Sequence, residues 1–242
     1  MVGVSAVSIL FADGFESGSY SGWAATTVSG TGSTLTANAG SAYAGSYGSD
    51  ALVTGAGGNE ASCVSASSVP STNIISVQCR FKVHQNNVGS GEAYFFGPRN
   101  AGGTRAVYLE NNAGTWNLIY TNRAVATVRA ALTQQVFTVD QFYLMEINVD
   151  WSGANQVYTC YINGVLDTTS TDSSAGSNIV YSTVWGGIYT ATGMTGNFET
   201  YTDEYKLGDA YIGLPSGVVP LPEQIYAPAY RAVAGWSSGW RT

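Results

Sequence analysis

Between Ile75 and His84 the chain reads Ile-Ser-Val-Gln-Cys-Arg-Phe-Lys-Val-His, apolar at every odd position and polar at every even one. Successive side chains point to opposite faces of a strand, so this run predicts a strand with one buried and one wet face. Tyr143–Trp151 repeats the pattern, broken only by Leu144, and Val157–Ile162 follows it less cleanly. Turn signals separate the runs. Asn163-Gly164 lies between Cys160-Tyr-Ile162 and Val165-Leu166, and Asn-Gly suits the two positive φ angles of a two-residue hairpin. Asn111–Gly114 joins Val107–Leu109 to Trp116–Tyr120, and Ser152–Asn155 follows Trp151. Helical periodicity is almost absent. About a dozen candidate strands indicate an all-β antiparallel sandwich or barrel with more strands than an immunoglobulin domain. Val77, Phe81, Ile147, Val149, Cys160 and Ile162 are the expected core.

The chain has 242 residues, enough for one large all-β domain, alone or with a tail, to bury its own core. Only 10% are charged, but 45% are hydrophobic and 16 are Tyr, which argues against disorder. The net charge is −7 and the nine Lys and Arg are scattered. Nothing in that pattern neutralises a phosphate backbone or an anionic membrane, so neither nucleic acid nor membrane is expected as a partner. No apolar run has the length of a bilayer span. Met1–Phe11 is apolar but lacks the basic region of a signal peptide, and it reads as the first strand. Cys63, Cys79 and Cys160 have no metal-ligand spacing and read as buried thiols, with a Cys63–Cys79 disulfide as the lesser alternative.

Two separated segments resemble the ends of concanavalin A-like and laminin-G-like jelly-roll domains. The first is Phe11-Ala-Asp13-Gly-Phe15-Glu16-Ser-Gly18, followed by Gly22-Trp23; the second is Tyr201-Thr-Asp203-Glu204-Tyr205-Lys206-Leu207-Gly208-Asp209. The pair Leu144–Trp151 and Val157–Asp167 is similar to a strand pair of laminin-G-like domains. Such sandwiches occur in bacteriophage tail and capsid-surface proteins. The resemblance implies a sandwich over 1–213 whose two ends lie side by side. It also implies a structural Ca²⁺ held by Asp13, Glu16 and Asp203, with Glu204 and Asp209 in second rank. Calcium takes six to eight oxygen ligands and would offset carboxylate repulsion at that seam.

After Gly213 the composition changes. Four of the six prolines fall in 215–228, and 214–242 carries Leu221, Tyr226, Tyr230, Trp236 and Trp240 with three charged residues, Glu223, Arg231 and Arg241. Proline removes ladder donors, so this stretch reads as an extended arm. Its apolar groups are expected to pack on the domain itself or on a neighbouring subunit, by self-association or with other virion or surface proteins.

Signatures of catalysis are thin. Retaining glucanases of the resembled fold carry Glu-x-Asp-x-x-Glu, which is missing here; Glu199–Glu204 has another spacing and reads as part of the closing strand. His84 sits at polar parity with no acid beside it in sequence. Tyr94, Arg99, Arg105 and Tyr108 surround a Gly-rich loop and could serve a polysaccharide lyase, although an ordinary hairpin explains them as well. Trp116, Tyr120, Tyr161 and Trp185 are candidates to stack on sugars if they face solvent. The expected function is a non-enzymatic assembly protein of a virion or surface particle. The alternatives are a carbohydrate-binding module or phage adhesin, and after that a glycan-cleaving enzyme. Location at a virion or extracellular surface follows from the first reading.

Overall fold

The computed structural model describes residues 7–55, 58–87, 89–190, 194 and 196–215. These build sixteen strands, numbered in chain order, in two antiparallel sheets packed face to face. Sheet A contains β1 (Ile9–Asp13), β3 (Thr34–Asn38), β4 (Gly48–Val53), β6 (Ile74–Asn86), β12 (Phe142–Asp150), β13 (Gln156–Ile162), β14 (Val165–Asp172) and β16 (Phe198–Gly208). Sheet B contains β2 (Ala25–Ser29), β5 (Glu60–Val64), β7 (Glu92–Tyr94), β8 (Gly97–Arg99), β9 (Val107–Asn112), β10 (Thr115–Thr121), β11 (Thr127–Ala131) and β15 (Thr183–Thr190).

Sheet A runs β14-β13-β12-β6-β16-β4-β3. A bulge in β16 between Asp203 and Lys206 divides that strand, and β4 pairs with its first part and β1 with its second. Phe11 lies opposite Leu207 and Asp13 opposite Tyr205, so the two resembling segments do meet. Aromatic rings fasten this seam. Phe15 stacks on Trp23 at 5.9 Å, and Tyr205 meets the edge geometry of both at 6.0 and 5.2 Å. Sheet B runs β11-β10-β9-β7-β15-β5-β2, with β8 also on β15.

The six residues expected in the core are all buried. Phe81, from the most regular alternation, touches Phe95, Phe96, Trp116 and Phe137 across the inter-sheet space. Asn163 and Gly164 have φ of 53° and 78°, the conformation that the β13–β14 hairpin requires. Cys63 lies on sheet B and Cys79 on sheet A, and all three thiols are free and buried.

The wet face of sheet A is only partly wet. Gln78 and Glu146, at polar parity on β6 and β12, are buried because residues 211–214 cross over them. Glu146 accepts from the amides of Ile212 at 2.7 Å and Gly213 at 3.0 Å, and from Gln78 Nε2 at 3.0 Å. Tyr211 packs on Tyr161 at 4.5 Å, and the Leu214 side chain fills the space beside Gly164. Residues 1–6, part of the expected first strand, lie outside the described residues. So does the arm after Pro215, with Leu221, Tyr226, Tyr230, Trp236 and Trp240.

Candidate functional site

The site is a cleft on the outer face of sheet B. Alternation turns Ala61, Ala93, Val107, Leu109, Val184 and Ile188 into the core. Their strand neighbours Glu60, Tyr94, Tyr108, Trp185 and Tyr189 consequently point outward. The register then gathers them: Tyr189 pairs with Tyr94 on one side and Glu60 on the other, and Trp185 lies opposite Gly97, two residues from Arg99. These side chains with Arg99 line a cavity of about 200 Å³.

The rings form a continuous series. Tyr94 stacks with Tyr189 at 6.0 Å and with Tyr108 at 5.9 Å, and Tyr108 meets Trp185 edge-on at 5.1 Å. Trp185 is 2% exposed, so it offers an edge to the cleft, and its indole N–H points at Glu60 Oε1 at 3.4 Å. Ser62 also donates to Glu60. Tyr189 is 37% exposed and is the open ring face.

Arg99 supplies the cationic side. Its Nη2 donates to the Gly103 carbonyl at 3.0 Å, while its buried Nε has no partner among the described residues. Gly103, at φ 66°, is needed twice over: a Cβ there would strain the backbone and would lie 2.5 Å from that Nη2. Burial pushes the Tyr108 hydroxyl up to about 12, against the pull of Arg99. Burial, and then the hydrogen bond to Glu92 at 2.6 Å, raises Tyr94 as well. The Tyr94 hydroxyl is thus a donor already engaged by Glu92.

Beyond Tyr94 the polar groups form one network. Arg129 Nε donates to both oxygens of Glu110 at 3.0 and 2.9 Å, and its Nη2 to Glu92 at 3.0 Å. Asn117 donates to Glu110 at 3.1 Å and Asn112 to Glu92 at 3.2 Å. Burial raises the Glu110 pKa, and Arg129 opposes the shift.

Several expected site residues lie elsewhere. Trp116 and Tyr120 are core side chains at 2% exposure, because on β10 they share parity with Leu118 and face sheet A. Neither can stack on a sugar. Tyr161 is on the outer face of sheet A, beneath Tyr211. His84 does have an acid: Asp140, 56 residues away in sequence, lies 2.5 Å from Nδ1. Tyr189 and Glu60 were not anticipated. The Trp-Gly-Gly-Ile-Tyr run obscured the parity of the first, and a lone Glu before Ala61 gave no signal for the second.

The three carboxylates expected to hold calcium do not form a common set. Glu16 accepts from the Ser46 amide at 3.1 and 2.9 Å, and Asp203 Oδ2 from the amides of Tyr43 and Ala44 at 2.8 and 3.1 Å. Both thus grip the 43–47 loop. Asp13 Oδ1 accepts from the Phe15 amide at 2.7 Å. Among the described residues no three His, Cys, Asp or Glu are gathered to hold a metal ion. Amide N–H groups face Glu16 and Asp203, whereas calcium needs oxygens, so these residues as arranged do not fit the ion.

No family model matches this chain, and no curated protein matches it in sequence. Solved structures match in fold. The endo-β-1,4-glucuronan lyase of the fungus Trichoderma reesei superposes at a TM-score of 0.61 and 12% identity, over 83% of this chain and 95% of that one. The cellulose-induced protein Cip1 gives 0.62 at 16% identity, over 85% and 100%. A carbohydrate esterase of the Shiga toxin-encoding bacteriophage phi24B gives 0.54 at 18% identity, over 84% and 99%. These are concanavalin A-like jelly-roll sandwiches, and this chain has that fold.

Proposed function

We propose that this sandwich binds glycans in the sheet B cleft and does not cleave them. One observation carries the reading: Tyr94, Tyr108, Trp185 and Tyr189 converge with Arg99 and Glu60 in a single cavity. A sugar ring presents C–H faces that pack on aromatic rings, and hydroxyls that need both donors and acceptors. The cleft has rings, the Tyr108 phenol, the Arg99 guanidinium and the Glu60 carboxyl group. Binding without turnover is supported by the engagement of the acids. Glu92 and Glu110 are tied to Arg129, and Glu60 accepts from Ser62 and from the Trp185 indole. The structural neighbours named for carbohydrate chemistry, a lyase and an esterase, are in keeping with a glycan ligand, but at 12 and 18% identity they share only the fold and do not bear on turnover.

The particle-assembly role rests on residues 214–242, almost all outside the described structure. It stays a proposal alongside glycan binding, since a virion or surface adhesin would combine the two. A polysaccharide array, with reaction products monitored in the same samples, tests the main reading. The expected result is retention of a glycan that Tyr94→Ala weakens by more than about tenfold, with no product formed. Product release lost in Tyr94→Phe would transfer the cleft to the enzyme reading. No retention on any glycan would refute glycan binding.

A further inference from the structure

The cavity at Tyr94 is small beside the roughly 300–1,000 Å³ of a site that engulfs its ligand. The sheet continues past it, and so do the outward-facing groups. Tyr108 on β9 lies opposite Ile119 on β10, and Ile119 lies opposite Arg129 on β11, the last strand of the sheet. We propose that the glycan site extends from the Tyr94 cleft over β9 to the guanidinium of Arg129, which reaches back from β11, so that it takes a run of linked sugars lying across the strands. This deepens the glycan reading and rests on it.

Three observations support the extension. First, Arg129 is held in advance of any ligand. An arginine on an edge strand is ordinarily free to swing, and ordering it on binding costs affinity. Here Glu110, fully buried underneath, and Glu92 beside it fix the guanidinium through three hydrogen bonds, yet 38% of the side chain stays exposed. Second, cleft and edge are one hydrogen-bonded unit. Glu92 takes the Tyr94 hydroxyl on one oxygen and Arg129 with Asn112 on the other. Third, the position between them in the cross-strand row is apolar: Ile119 is 5% exposed, so it closes the sheet there and leaves the ligand contacts to Tyr108 and Arg129 on either side.

The dimensions exclude a single sugar as the full occupant. The Arg129 guanidinium reaches back from β11 to Glu110 on β9 and Glu92 on β7, so the cationic head lies over those strands. Adjacent strands lie ~4.8 Å apart, which puts Glu60 on β5 two to three strand intervals from that head, or ~10–14 Å along the sheet. A ligand reaching both groups must be more than one sugar long.

The experiment uses the polysaccharide returned by the array, cut to mono- through hexasaccharides and titrated calorimetrically. Affinity is expected to rise roughly tenfold or more between the monosaccharide and the pentasaccharide, then level off. Arg129→Ala alone would strand Glu110 without its cation, so the informative variant is Arg129→Ala with Glu110→Gln, checked for an unchanged fold. It should weaken the monosaccharide by no more than about threefold and the pentasaccharide roughly tenfold. Tyr94→Ala should weaken both. Affinity independent of length, or a double variant that binds the pentasaccharide normally, overturns the extension while leaving the cleft reading intact. If no glycan binds at all, the cleft reading fails and the extension with it.

Discussion

The outer faces of the two sheets both carry aromatic and charged side chains, but only sheet B leaves them available. On sheet A, Arg80 lies 4.1 Å over the ring of Tyr43, Lys82 lies 4.7 and 4.4 Å over Phe142 and Tyr201, and His84 stacks on Tyr201 at 4.7 Å. Residues 211–214 cover Tyr161 and Glu146. Each ring is thus occupied by a cation or another ring of the same molecule, an arrangement that stabilises a surface. On sheet B the rings stack side by side around a cavity, and Arg99 is braced by a loop carbonyl instead of lying on a ring. A surface rich in Tyr and Arg becomes a candidate site when its rings line a cavity beside a cation instead of being covered by one.

That contrast can be broken experimentally. The largest effect should separate the two faces directly. Tyr189→Ala in the cleft is expected to weaken glycan binding by more than about tenfold, while Tyr43→Ala on sheet A leaves affinity unchanged. Equal losses from the two changes would show that exposure of a ring, and not its place in the cavity, governs binding.

Next in size is the crossing of 211–214. Glu146→Ala removes the acceptor for two backbone amides and Gln78, and should cost ~1–3 kcal/mol in chemical unfolding. It should also raise hydrogen exchange at Ile212 and Gly213. Unchanged exchange there would mean that the side chains of Tyr211 and Leu214 alone hold the segment.

A smaller effect concerns pH. Burial, with neighbouring Glu199 adding to it, raises the Asp50 pKa from 3.8 to about 6. The folded state therefore holds a proton that the unfolded chain has released. This contribution is complete below the unfolded pKa and disappears as pH rises through the folded one. Melting temperature should fall between about pH 4 and pH 6 on this account, and Asp50→Asn should flatten that slope. A slope identical in the variant would assign it to other groups. The smallest effect is expected at the seam. Amides already engage Glu16 and Asp203, so excess calcium should move the melting temperature by no more than ~1 °C. A rise of several degrees would show the loop turning oxygens to the ion and would restore the site that the resemblance implies.

Much of the fold was legible because strand periodicity is local. Parity along β6 and β12 names the core side of each strand without knowledge of its partners, and Asn163-Gly164 marks a hairpin by its own backbone preference. Parity could not say whether the opposite face is wet. Gln78 and Glu146 follow the polar pattern and are nevertheless buried, because a segment about 65 residues or more further along covers them. The same limit misplaced Trp116 and Tyr120: their strand was recognisable, but which of its faces met the other sheet was not.

The candidate site was legible only in fragments. Tyr94, Arg99 and Tyr108 drew notice as neighbours of one Gly-rich loop, and Trp185 as a possible stacking residue. Glu60 and Tyr189 join them only through the pairing of β15 with β5 and β7, contacts 95 or more residues apart in sequence. The Asp140 partner of His84 arrives in the same way. By itself, then, the sequence determined the strands, their buried parity and the short-range turns, and its resemblance to jelly-roll domains implied the pairing of the first and last strands. The tertiary structure alone decided which outward rings and charges face one another, since register and coverage are set by contacts between distant strands, whereas local alternation has a period of only two residues.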